Sequence, residues 1–186
     1  MAYMLEINFS GPYGLLPNRD QVPLLLADPA IWAGGVYLWT FLYNQAHRVN
    51  FAGVCSRSVA ERHTEHLTDF LTGRQTFYNA ADLAAGALTP VYRPGDGDDR
   101  FVAGYPALMS QLCAIRIFAA PFNGPEHLLK RLGLGSVAHF QQFGGRAREW
   151  LDNDPVVYNN SDYDEKLTVR IGRPAFIASM PDEMHL

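Results

Sequence analysis

A chain of 186 residues, 48% of them apolar and 12% aromatic, holds enough apolar material for one packed domain, which excludes a disordered chain. Its formal net charge of −4 argues against a broad nucleic-acid footprint, because phosphate binding rests on clustered Lys and Arg, yet a local basic cleft stays compatible with it. No apolar run approaches the roughly 20 residues of a membrane span, since the stretch from Leu112 to Phe122 is interrupted by Arg116. The start, Met1 to Glu6, lacks a basic region followed by an apolar stretch, so no secretory signal is expected. Cys55 and Cys113 stand far apart, which suits a reducing cytoplasm, with one disulfide as the alternative.

In chain order, Tyr3 to Phe9 alternates loosely and predicts an edge strand. Ser10 to Asn18, with two Gly and two Pro, reads as a loop. Gln21 to Ala33 is a mixed segment with a short helix expected. Gly35 to Tyr43 is rich in aromatic and β-branched residues and reads as a strand, turning at Asn44–His47 into a second strand over Arg48 to Val54. Ser58 with Glu61 three residues later fits a capping box, so a helix is predicted from there to about Leu71, ahead of Gly73. Helical spacing puts Val59, His63, Leu67 and Phe70 on one apolar stripe and Glu61, Glu65, Thr68 and Asp69 on the solvent face, with Arg62 and His66 on the border between them. Asp82 to Ala87 reads as a short helix, Tyr92 to Arg100 as a loop, Tyr105 to Gln111 as a helical linker and Leu112 to Ala120 as a buried third strand. Pro125 suits a helix first turn, and Glu126 to Leu132 is expected to end at Gly133-Leu134-Gly135, with separate helices over Ser136 to Phe143 and Arg146 to Leu151. Leu167 to Ile171 and Ala175 to Ser179 read as terminal strands.

Gly34-Gly35-Val36-Tyr37-Leu38-Trp39, then Phe51-Ala52-Gly53, then Arg62-His63-Thr64-Glu65-His66-Leu67 resembles the GIY-YIG nuclease superfamily. Gly35-Val36-Tyr37 stands for the first signature, and Phe51-Ala52-Gly53 for an altered second one. The likeness is firmest from Gly34 to about Leu71 and extends to the strand at Leu112 to Ala120, with Phe176 to Pro181 similar to the closing segment of a bacterial subset. It implies an α+β fold with a small antiparallel three-stranded sheet flanked by helices, in a single domain over 1–186 whose core lies at about 33–143. Residues 1–32 and 144–186 are then N- and C-terminal additions.

The resemblance implies a metal-dependent endonuclease that hydrolyses DNA phosphodiester bonds. Tyr37 would help to activate water. Arg62 would hold the scissile phosphate, since a guanidinium offers a planar, permanently charged fork, and a surface pair with Glu61, Glu65 or Asp69 is its other reading. His66 would assist proton transfer. Gly53 and Arg57 would contact substrate, and the spacing from Gly53 to Arg62 asks for a bulge in the loop Val54 to Arg57. Phe51 keeps the ring of the expected second tyrosine and loses its hydroxyl, so reduced activity is expected. The family's metal ligand is a glutamate on the helix after the third strand. Glu126 is the candidate here for holding Mg²⁺ or Mn²⁺, with Glu149 behind it, while a helix N-terminal charge is the alternative role of Glu126. The alternative function is a catalytically degenerate module that binds DNA or a protein, and no membrane partner is expected.

Overall fold

The computed structural model describes residues 2–17, 20–143, 151–159, 163 and 165–186. The central sheet begins from the hairpin of β3 (Gly35–Tyr43) and β4 (Ala46–Cys55), as the strand pattern predicts. Asn44 and Gln45 turn the chain with positive φ. Beside β3 lies the antiparallel strand β7 (Arg116–Pro121). The sheet is nevertheless five-stranded rather than three-stranded. Ser10–Gly14 forms an edge strand, β2, against β7, and Ile177–Ala178 forms β9 in parallel with β4, giving the order β2-β7-β3-β4-β9. The Gly and Pro that suggested a loop in β2 are tolerated because an edge strand leaves one row of its backbone groups unpaired. A second sheet joins β1 (Ala2–Asn8), β8 (Lys166–Gly172) and β10 (Glu183–His185) in the order β1-β8-β10, and the short ribbon β5 (Phe77–Tyr78) with β6 (Pro90–Tyr92) makes a third.

Four helices complete this mixed α/β architecture among the described residues: α1 (Val59–Leu71), α2 (Ala80–Ala85), α3 (Asp98–Ala114) and α4 (Glu126–Phe143). Two of them correct the sequence reading. The expected loop, linker and strand start between Tyr92 and Leu112 give way to the 17-residue α3, which carries Asp98 and Asp99 in its first turn, where they favour the helix dipole, and tolerates Pro106 in its interior. Helix α4 runs unbroken through Gly133 and Gly135. A Cβ on Gly133 would stand 2.8 Å from Val54, and one on Gly135 would stand 2.4 Å from Leu186, so these glycines permit close packing and do not end the helix. The helical turn expected after Phe143 lies outside the described residues up to Leu151. No described helix is long and apolar enough to cross a membrane.

The alternation of β3 separates two cores. Val36 and Leu38 face α4 and the second sheet, joining Leu132, Val137, Leu167 and Val169. Tyr37, Trp39 and Phe41 face the other way, joining Val59 and Phe70 of α1 and Leu108 and Leu112 of α3.

Candidate functional site

The site grows from the β3/β4 hairpin and the first turns of α1. Ser58 caps α1 by accepting the Glu61 backbone N–H at 3.2 Å, the contact that the capping box predicts. Val59 donates its N–H to the Ala33 carbonyl at 3.0 Å, which ties the helix start to the strand start. In β4, Val54 and Cys55 stay in register with Val36 and Gly35, and a bulge lies at Asn50, ahead of Gly53, between the pairs Trp39–Phe51 and Thr40–Val49. A bulge adds twist and re-aims neighbouring side chains.

Helix α1 turns both of its histidines inward. His63 is 1% exposed and His66 is 4% exposed, so His66 belongs to the core side and not to the border assigned to it. His63 Nδ1 lies 2.7 Å from the Val59 carbonyl and must donate to it; Nε2 then accepts the Trp39 indole N–H at 2.9 Å. These two partners fix one neutral tautomer. Burial lowers the His63 pKa to about 4, with the Arg62 charge adding to the effect and the Val59 hydrogen bond opposing it. Protonation would also turn Nε2 into a donor facing another donor.

His66 Nε2 sits 3.0 Å from the Tyr37 hydroxyl, while its Nδ1 is buried with no hydrogen-bond partner among the described residues. Burial, followed by the charges of Arg62 and His63, lowers the pKa to about 3, so the ring is neutral near pH 7. Tyr37 is 2% exposed, and burial raises its pKa; the Arg62 guanidinium reaches the same phenol and opposes that rise by hydrogen bonding and charge. Tyr37, Arg62 and His66 are therefore gathered at one phenol. Gly53 belongs to the same cluster, because a Cβ there would meet the Tyr37 ring at 2.4 Å. Only the absence of a side chain lets the phenol cross β4 at this height. Phe51 stacks on Tyr37 with centroids 6.2 Å apart and leans on Trp39 at 5.1 Å, an apolar wall where a hydroxyl was expected.

Outside the phenol, Arg62 Nη1 pairs with Glu65 at 2.8 Å, and Arg57 Nη2 pairs with the other oxygen of the same carboxylate at 3.1 Å. Arg62 holds the Glu65 pKa below the usual carboxylate range, with Arg57 assisting. The alternative reading of Arg62 as a surface pair and its reading as a neighbour of Tyr37 thus hold together.

Glu126 stands apart from this arrangement. It lies on the exposed first turn of α4, paired with Lys130 at 2.8 Å, and that pairing lowers its pKa. Both His63 nitrogens are engaged, and no group of three or more His, Cys, Asp or Glu among the described residues is placed to hold a metal ion. The described donors do not fit a divalent cation at the phenol. Glu149 lies outside the described residues.

Two features had little or no signal in the sequence. Trp39, two residues after Tyr37 on the same strand face, is the donor that orients His63; strand alternation alone could have suggested it. The segment at Asp152-Asn153 covers the β4 edge beside the bulge. Asp152 N–H donates to the Asn50 carbonyl at 2.6 Å, and the Asn153 amide bonds both the N–H and the C=O of Ala52 at 2.9 Å, while the Asp152 carboxyl accepts from the Tyr78 hydroxyl. A contact across about a hundred residues leaves no local pattern to read.

Comparisons with protein-family models, with curated proteins and with solved structures find no match to this chain.

Proposed function

We propose that this chain is a GIY-YIG-like phosphodiesterase that cleaves DNA. The observation supporting this most directly is the Tyr37 hydroxyl, 3.0 Å from His66 Nε2 and within reach of Arg62. In this reading Arg62 and Arg57 engage a backbone phosphate from the solvent side. A water attacks phosphorus as the P–O bond to the leaving sugar oxygen breaks; its proton passes by way of the Tyr37 hydroxyl to the neutral His66, and the leaving oxygen takes a proton from solvent. Two properties set the starting state of this relay, and the same burial makes the transfer to His66 uphill. Burial keeps the phenol protonated near pH 7, and it also keeps His66 uncharged there. Arg62 offsets the charge that builds on the phosphate oxygens.

A second reading is a module that binds DNA or a protein without cleaving. The Glu126–Lys130 pair and the apolar Phe51 wall favour it, because a metal ligand and a second hydroxyl are both expected of a fully active site. Nicking of supercoiled plasmid, with and without Mg²⁺ or Mn²⁺, separates the two. The hydrolase reading expects nicking by the wild-type protein and a loss of about 10²-fold or more in Arg62→Ala and Tyr37→Phe. Folded wild-type protein that retains DNA with a steep salt dependence but leaves the plasmid intact would favour the second.

A further inference from the structure

We propose that Arg57 and Arg62 form a two-pronged oxyanion seat which Glu65 occupies from within the chain, and that a phosphate group takes the seat by displacing Glu65. The inference rests on the reading that Arg62 faces phosphate, and it adds a built-in competitor to that site.

The geometry is that of one anion shared by two forks. Each oxygen of the Glu65 carboxylate meets a different arginine, at 3.1 Å for Arg57 and 2.8 Å for Arg62. Other arginines hold separate partners, as Arg74 does with Asp69 and Arg173 with Asp182. Two guanidinium groups around one carboxylate leave a positive excess in a chain whose net charge is −4. Two non-bridging phosphate oxygens present nearly the same pair of acceptors as a carboxylate, with a larger charge for a monoester. Arg62 bonds Glu65 at 2.8 Å, and its charge also opposes the raised pKa of the buried Tyr37 phenol.

The internal ligand can leave. The side chains of Arg57, Arg62 and Glu65 are 73%, 40% and 43% exposed, so water screens the pairs and rehydrates a released carboxylate. Glu65 sits on α1, whose cap and buried stripe are made by Ser58, Val59, His63 and Phe70, so its release leaves the helix packing intact. The bound chemistry is a phosphate oxyanion, carried either by a DNA backbone or by a small phosphate compound.

The test follows the Arg57 and Arg62 side-chain N–H signals by NMR at low ionic strength. Inorganic phosphate and a short DNA duplex are titrated in separate arms. Glu65→Gln is expected to bind phosphate about tenfold more tightly than wild type, as loss of one charge-assisted competitor implies. Arg57→Ala in the Glu65→Gln background is expected to abolish the gain. Glu61→Gln, the same charge change on the exposed face of the same helix, is expected to give a much smaller effect. A Glu65→Gln protein that binds phosphate no better than Glu61→Gln, or a gain that survives Arg57→Ala, overturns the seat. The seat stands, and the DNA reading falls, if phosphate shows the gain while duplex DNA neither binds nor is nicked. Nicking that needs Arg62 without any Glu65→Gln gain keeps the DNA reading and removes the seat.

Discussion

At the residue scale, the two histidines of α1 make the site sensitive to acid in a defined direction. Their pKa values in the fold are lowered from 6.5 to about 4 for His63 and about 3 for His66. The unfolded chain therefore takes up protons first as the pH falls. Stability from these neutral rings is fully present above about pH 6.5 and is lost progressively from there towards pH 4 and below. Each tenfold difference in proton affinity corresponds to about 1.4 kcal/mol, so the loss is large beside an ordinary folding stability. The urea midpoint followed by far-UV circular dichroism is expected to fall between pH 7 and pH 5. His47 and His139 are shifted in the same direction, so the wild-type slope holds their share as well. The double variant His63→Gln/His66→Gln isolates the site's share. A slope as steep as wild type in that variant would show that the pair is not its source. The relay starts from the same neutral state, and its protonated His66 is one that the fold disfavours.

At the scale of elements, glycine in α4 tests whether packing or propensity decides. In an isolated helix Gly133→Ala would stabilise by about 1 kcal/mol. Here the added methyl meets Val54 Cγ1 at 2.8 Å, across the interface between α4 and β4. Overpacking of this kind costs typically ~1–3 kcal/mol, so thermal unfolding of Gly133→Ala is expected at a lower temperature than wild type. Adding Val54→Ala makes room, and the double variant is expected to be more stable than the sum of the two singles. Strict additivity would mean that the contact does not limit the approach. This helix also shows where the sequence stops being readable. The hairpin and α1 were legible because their signals are local: strand alternation through Tyr37 and Trp39, and a serine cap three residues before Glu61. Gly133 and Gly135 in α4 and Gly11 of the Gly-Pro pair in β2 carry the local marks of breaks, yet tertiary neighbours crowd each of them, and Pro106 lies exposed inside α3 without ending it. Within the site, strand period and helical spacing brought Tyr37, Arg62 and His66 within range of one another. The burial of His66 and the bridging role of Glu65 depend on side-chain directions that spacing alone does not resolve.

At the scale of the molecule, the site on one face of the sheet backs onto a second core on the other face. Tyr37 and Leu38 are adjacent in β3 and point into opposite cores. Behind Leu38, α4 packs on β4 and carries the second sheet, where Leu167 is 1% exposed and exchanges two backbone hydrogen bonds of 2.8 Å with Leu186. Leu186 in turn closes on Gly135 of α4. This continuous packing, from the C-terminal strands through α4 to the back of the hairpin, predicts one cooperative unit rather than a site domain with a separable tail. Leu167→Ala removes buried side-chain volume far from Tyr37 and is expected to cost about 2–5 kcal/mol. The test is whether that cost reaches the other core. The Trp39 indole N–H signal, fixed by His63, reports the site; far-UV circular dichroism reports the whole chain. In Leu167→Ala both are expected to disappear at the same, lower urea concentration. A Trp39 signal that outlasts the bulk transition would mean that the hairpin and α1 hold together on their own. In that case the second sheet would stabilise the chain without setting the geometry of the phenol.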